Sequence, residues 1–172
     1  MYNLAKTFLL FLLTLYLPAA CANAPKVSGT EDARLTENTA AGDFSSVQGK
    51  DWLLTELRNS FSVIKINRDV YAKEGFGEFF SLRFDVERIG GVGAPNRYFA
   101  PYTQAGNDSL SIGLIAGTLM AAFREPAELK EHEFFALLQN VFQWKLAGDN
   151  LELFANNEAG SQTVLVFSVS SH

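Results

Sequence analysis

Residues 79–87 read Phe-Phe-Ser-Leu-Arg-Phe-Asp-Val-Glu. Phe80, Leu82, Phe84 and Val86 fall on one side of a two-residue period; Ser81, Arg83, Asp85 and Glu87 fall on the other. An extended chain sends successive side chains to opposite faces. The alternation therefore predicts a strand with one face in a core and the other in water. Such a strand needs partners, and the flanking sequence supplies them.

On the N-terminal side, residues 51–58 (DWLLTELR) and 61–66 (FSVIKI) read as two strands joined at Asn59-Ser60, a pair suited to a tight turn. Segment 67–78 contains Gly75 and Gly77 without a clear period and reads as a loop or a short helical turn. On the C-terminal side, a glycine-rich bend at residues 90–93 leads to strands at 98–102, 110–115 and 116–121. After Pro126, Phe134, Leu137, Leu138 and Val141 recur at helical spacing, while Glu128, Lys130, Glu131 and Glu133 take the first turns and the exposed positions. Proline and acids suit a helix N-terminus. Strands at 142–146, 151–154 and 164–169 close the chain, with turns at Gly148-Asp149-Asn150 and at residues 156–160. The helix has only sheet against which to bury its apolar stripe. The expected fold is α+β: a strongly bent antiparallel sheet or cracked β-barrel of about eight strands with one amphipathic helix packed against it.

Ahead of this region lies a segment of another kind. Lys6 precedes an apolar run, FLLFLLTLYL, at residues 8–17; Ala19 and Ala20 follow, then Cys21, the one cysteine of the chain. A charged start, an apolar core of about 10 residues and small residues at a cleavage point make a secretory signal peptide. The run is shorter than the roughly 20 apolar residues of a comfortable bilayer span. The junction resembles a bacterial lipobox, in which the cysteine becomes the lipidated first residue of the mature chain. Pro18 stands where the lipobox leucine is usual, and the leucine is Leu17. Residues 1–20 are therefore expected to be a lipoprotein signal peptide, and Cys21 to be acylated, the palmitate-bearing link to a bacterial cell-envelope membrane. Ala22 follows the cysteine, so the aspartate that retains many lipoproteins at the inner membrane is missing; outer and inner membrane, periplasmic and surface side, stay open. Residues 22–48 are small, polar and acidic, a composition that does not bury a core. With Cys21 they form the expected lipidated N-terminus and flexible tether, 21–48, whose reach is about 30 Å by the square-root rule. The domain is expected at 49–172.

Removal of residues 1–20 leaves 13 basic against 19 acidic side chains, a net of −6. There is no basic stripe to neutralise phosphates, which excludes nucleic acid as the expected partner, and no polybasic supplement to the anchor. Two acyl chains hold a protein on a membrane without one. With its sulfur given to lipid, the mature chain has no thiol for a disulfide or a cysteine–metal site.

The candidate chemistry is thin. His132-Glu133 begins like a zinc-protease helix, but Ala136 occupies the place of the second histidine. The other histidine is the terminal His172. No catalytic triad can be assembled from this supply. Gly90-Gly91-Val92-Gly93 lacks the Gly-Lys-Ser/Thr of a phosphate loop and reads as a turn or bulge. Asn96 in the same bend is expected to bridge backbone groups. Thr118 and Met120 alternate with Leu119, and one set is expected to pack under the helix while the other closes the sheet. Glu78, Asp85 and Glu87 read as a solvated face.

The order of elements and two local strings resemble the META domain, the family that includes the heat-shock protein HslJ. The opening tryptophan strand is matched by Asp51-Trp52-Leu53-Leu54. The family's glycine-rich segment, ending in Cys-Asn, an aromatic and Gly-x-Tyr, is matched by residues 90–102, GGVGAPNRYFAPY: Gly90, Gly91, Asn96 and Tyr102 fall in place, Ala94-Pro95 stands for Gly-Cys, and Ala100 replaces the second glycine. The string Ala-x-Thr-x-Met-Ala-Cys is matched by Ala116, Thr118, Met120 and Ala121, with Ala122 for the cysteine. Leu165-Val166-Phe167 matches the final Leu-x-Phe. If the two family cysteines pair in relatives, their joint loss here is coherent. The resemblance covers residues 51–169 and implies a cracked, mostly antiparallel barrel with one helix, an envelope or secreted location, no cofactor and no common reaction. Members are linked to stress tolerance and drug resistance.

Two readings of function follow: a non-catalytic, stress-related interaction or structural module on the envelope, or a carrier of an apolar ligand (a lipid or hydrophobic drug) inside the barrel. A hydrolase built on acidic residues is the third and weakest. Oligomeric state is not legible.

Overall fold

The computed structural model describes residues 43–121, 125–157 and 159–170. The signal segment, Cys21, most of the tether, Ala122 and His172 lie outside the described residues.

Ten strands form one sheet: β1 (Asp51–Asn59), β2 (Val63–Lys65), β3 (Ser81–Phe84), β4 (Arg88–Val92), β5 (Arg97–Ala105), β6 (Ser109–Ile112), β7 (Ala116–Gly117), β8 (Val141–Ala147), β9 (Asn150–Asn156) and β10 (Gln162–Val169). The helices are α1 (Arg68–Lys73) and α2 (Glu131–Gln139), with a 3₁₀ turn at Phe44–Ser46. Antiparallel pairing runs β10-β9-β8-β6-β5-β4-β3-β1, and β1 then pairs with β10 from Trp52↔Val169 to Asn59↔Thr163. Eight strands thus close into a barrel. β2 extends beside β1, and β7 pairs with β5. The thinnest seam is β6–β8, with the single register pair Ser109↔Gln143. There Asp108 adds two contacts: its carbonyl accepts the Trp144 N–H at 2.9 Å, and its carboxylate accepts the Gln143 amide at 2.6 Å.

The alternation at 79–87 produces the core face it predicts, over a shorter strand. Phe80, Leu82 and Phe84 are buried. Phe80 takes a positive φ of 55°, which breaks extended geometry, so β3 starts at Ser81. The Asp85 N–H bonds the Arg88 carbonyl at 2.9 Å and closes a two-residue hairpin. Val86 therefore sits at its tip, 86 % exposed, and not in the core.

Three other boundaries differ from expectation. Asn59 Oδ1 accepts the N–H groups of Phe61 and Ser62, so the first turn is longer and Phe61 lies at its exposed tip. Gly90 and Gly91 are strand residues of β4, not a bend. Segment 67–78 takes the second of its two expected forms, a short helical piece: α1, capped by Asn67, whose side chain accepts the Val70 N–H. α2 starts at Glu131, because Lys130 is still extended (φ −91°, ψ 152°), and Val141 opens β8.

The interior is filled. Leu54, Phe84, Ile89, Leu110 and Trp144 are fully buried, as are Leu151, Leu153, Leu165 and Phe167. Folded structure also begins earlier than residue 49. Val47 is fully buried, and the Phe44 ring lies 5.2 Å from Phe84 and 4.9 Å from Trp144. By strand register, Phe84 and Tyr102 lie toward the Asp51 end of β1, whereas the β4–β5 turn and the start of β8 lie toward its Asn59 end. The 3₁₀ turn closes the first end and α2 the second, with Phe134 and Leu138 fully buried.

Candidate functional site

The residues singled out in the 90–102 and 116–121 strings converge beside the start of α2. Asn96, 7 % exposed, is the hub. Its Oδ1 accepts the Met120 N–H at 2.6 Å and the Thr118 hydroxyl at 2.8 Å; its Nδ2 donates to Glu131 Oε2 at 2.7 Å. Glu131 Oε1 accepts the backbone N–H groups of Ala94 and Asn96 at 2.6 and 2.7 Å. One carboxylate thus gathers three donors, at the first residue of a helix, where negative charge is favoured. Thr118 Oγ1 also accepts the Arg97 N–H at 3.2 Å. Gly93 makes the approach possible, since a Cβ there would lie 2.5 Å from Glu131 Oε1. The donors and acceptors are spent on one another. The effect is mechanical: the helix start, the β4–β5 turn and the chain after β7 are tied at one point.

This arrangement corrects the strand expected at 116–121. The Thr118 N–H still bonds the Arg97 carbonyl of β5, but the strand ends at Gly117 because the amides that would continue the ladder turn to side chains: Arg97 N–H bonds Thr118 Oγ1, and Met120 N–H bonds Asn96 Oδ1. Neither set of side chains packs under the helix. Leu119 is fully exposed, Met120 is 60 % exposed, and Ala121 is exposed. Thr118 and Met120 act through a hydroxyl and a backbone amide.

The remaining motif residues stand apart from this knot. Gly91 is required by close approach, since a Cβ there would overlap the Ser81 carbonyl; Gly90 carries no such conflict. The Tyr98 hydroxyl donates to that same carbonyl at 2.8 Å, and burial pushes its pKa far above the ordinary tyrosine value. At the opposite end, buried Trp52 donates its indole N–H to the Val47 carbonyl at 3.0 Å. The Tyr102 hydroxyl donates to the Asp85 carbonyl at 2.8 Å and accepts from Gln48 Nε2 at 2.8 Å. Cys21 lies outside the described residues.

Sequence reasoning missed Glu131, which it took for a helix-start acid, and Arg68. The Arg68 guanidinium donates to the carbonyls of Gly77 (2.5 Å) and Phe79 (3.1 Å), stacks 5.2 Å from the Tyr71 ring, and has its pKa drawn down by burial. It pins the loop after α1 to the barrel. Tyr71 donates to Glu128 Oε2 at 3.0 Å; burial, then that bond, raises its pKa. His132 is exposed.

The clefts lie outside the barrel. One of about 920 Å³ is floored by Gly90 and Gly91. Two of its three arginines face carboxylates: Arg83 reaches Asp51 at 3.2 Å and Asp85 at 3.3 Å, and Arg97 reaches Glu78 at 3.6 Å. A second, of about 450 Å³, runs between α2 and the barrel rim. Among the described residues no three His, Cys, Asp or Glu side chains are grouped as a metal site, and no helix is long and apolar enough to cross a membrane.

Comparison with known families decides the kinship. The model of the META domain matches residues 45–170. The chain belongs to the META domain family. The match begins within the 3₁₀ turn, in keeping with its packing on the barrel. Among solved structures, the NMR structure of a protein from Burkholderia xenovorans is similar at a TM-score of 0.55 and 17% identity, covering 87% of this chain and 100% of that one. The crystal structure of a DUF4847 family protein from Bacteroides vulgatus is similar at a TM-score of 0.50 and 15% identity, covering 76% and 99% respectively. At such identities these likenesses speak for the fold alone. No curated protein matches the chain. In this META domain, then, Asn96, Thr118 and Met120 tie to the start of the helix, Gly91 fits β4 to β3, and Tyr102 bonds at the far end.

Proposed function

We propose that this protein is a lipid-anchored, non-catalytic module of the bacterial cell envelope, which acts by contact with other envelope proteins under stress. The observation that carries the reading is Cys21, placed directly behind the apolar run 8–17 and the small pair Ala19-Ala20. Acylation there ties the domain to a membrane, and two acyl chains suffice for stable attachment. Membership of the META family agrees with a non-catalytic role. So does the use of Asn96, Thr118 and Glu131, the polar groups held in fixed geometry, to satisfy one another. The filled interior weighs against a ligand carried inside the barrel.

Metabolic labelling with a fatty-acid analogue tests the anchor. The wild-type chain is expected to take up label and stay with membranes; Cys21→Ala is expected to do neither. An unlabelled wild-type chain overturns the anchor. Crosslinking in intact stressed cells tests the contact role: a reproducible envelope partner is expected, and its absence overturns that role.

A further inference from the structure

The cleft beside α2 carries an inference independent of the proposed function. α2 turns Phe134 and Leu138 into the barrel mouth. Its neighbouring face, with His132, Glu133, Ala136, Leu137 and Asn140, lies along the second cleft instead. Leu57 of β1 and Ile64 of β2 form the opposing wall. The volume, about 450 Å³, falls in the range of small-molecule sites, which are apolar with a few placed polar groups. The floor here is Leu57, Ile64, Leu129, Ala136 and Leu137. Carboxamides of Asn59, Asn140, Asn156 and Asn157 stand on the rim.

The charge of the lining narrows the occupant. Glu128 and Glu133 line the cleft, and no lysine or arginine does. The larger cleft, in contrast, sets arginines against its acids. Both rim carboxylates are held by one oxygen: Glu128 Oε2 accepts the Tyr71 hydroxyl at 3.0 Å, and Glu133 Oε2 accepts the Lys130 N–H at 2.8 Å. The lining therefore offers negative charge at the edge of an apolar floor. A cation gains from that field, while an anion is repelled and a neutral molecule gains burial alone.

We propose that this cleft binds an organic cation with an apolar body: an ammonium or guanidinium head between Glu128 and Glu133, and a hydrophobic tail over Leu57, Ile64 and Leu129. The test uses the full chain in phosphatidylcholine nanodiscs, with empty nanodiscs subtracted. Three water-soluble probes share one body: 4-phenylbutyl-trimethylammonium, 4-phenylbutanol and 4-phenylbutyrate. Saturable binding of the ammonium is expected, about tenfold tighter than the alcohol and tighter still than the carboxylate. Glu128→Gln with Glu133→Gln is expected to remove that preference and leave alcohol binding in place. Asn156→Lys, at an exposed rim position, is expected to weaken the ammonium about tenfold without altering the melt. Ala136→Trp is expected to fill the cleft and abolish binding of all three. Equal affinity for the three probes, no saturable ammonium binding, or ammonium binding unchanged by both Asn156→Lys and the double glutamine variant overturns the proposal.

Discussion

The two ends of this barrel are closed by different physics. At the Asn59 end of β1, α2 lies over the mouth, its fully buried Phe134 and Leu138 packed in the core and its first residue, Glu131, accepting three hydrogen bonds from Ala94 and Asn96. At the Asp51 end, a three-residue 3₁₀ turn delivers one half-buried ring, Phe44, to Phe84, Tyr102 and Trp144. The helical lid combines apolar burial with a directional polar knot. The turn lid relies on ring contacts and on two hydrogen bonds from side chains, Trp52 to Val47 and Gln48 to Tyr102. The first should be strong and specific in position, the second weaker and more tolerant.

The largest effect should come from Phe134→Ala. Removing a fully buried aromatic costs about 4 kcal/mol, and urea unfolding should show it. Phe44→Ala, at a half-buried ring, should cost about 2 kcal/mol. Equal or reversed costs would erase the distinction between the lids. Glu131→Ala leaves three donors short of an acceptor and should cost about 3 kcal/mol by the same measurement. A cost near zero would mean that the knot contributes nothing to the helical lid.

Two smaller effects sharpen the contrast within the sheet. Gly91→Ala drives a Cβ into the Ser81 carbonyl and should cost about 2 kcal/mol, whereas Gly90→Ala meets ordinary contact at 3.5 Å and should cost about 0.5 kcal/mol. Alkaline pH acts through Tyr98 and Tyr71, whose folded pKa values are raised, the first by burial and the second by burial and then by the Glu128 bond. The fold favours the neutral phenols, so their contribution is fully present below the unfolded value of about 10. It is lost as pH rises from there toward the folded values. Melting temperature should therefore fall above about pH 10, and less steeply in Tyr98→Phe.

Most of the barrel was legible because alternation survives in β1, β3, β9 and β10, each with one face turned into the core. The helix was legible in Phe134 and Leu138 for the same kind of reason. The lids were not. Residues 43–48 read as tether because they are mostly small and polar, and nothing local shows that Phe44 and Val47 find a core more than thirty positions away. Glu131 read as an ordinary acid of a helix start; its partners at 94 and 96 are set by tertiary placement. The strand pattern at 116–121 failed because side-chain acceptors took the amides that a strand would have used. The family strings drew attention to Asn96, Thr118 and Met120, which the fold brings together, and could not say that Glu131 joins them.

Native-state hydrogen exchange tests the helical clamp most directly. In the wild-type protein the amides of Ala94, Asn96 and Met120 should be among the protected ones. In Glu131→Gln, protection should fall at Ala94 and Asn96 and along α2, while the amides of Val47 and Gly49 at the far end keep theirs. Rapid exchange at Ala94 and Asn96 in the wild type, or an equal loss at both ends in the variant, would contradict the account.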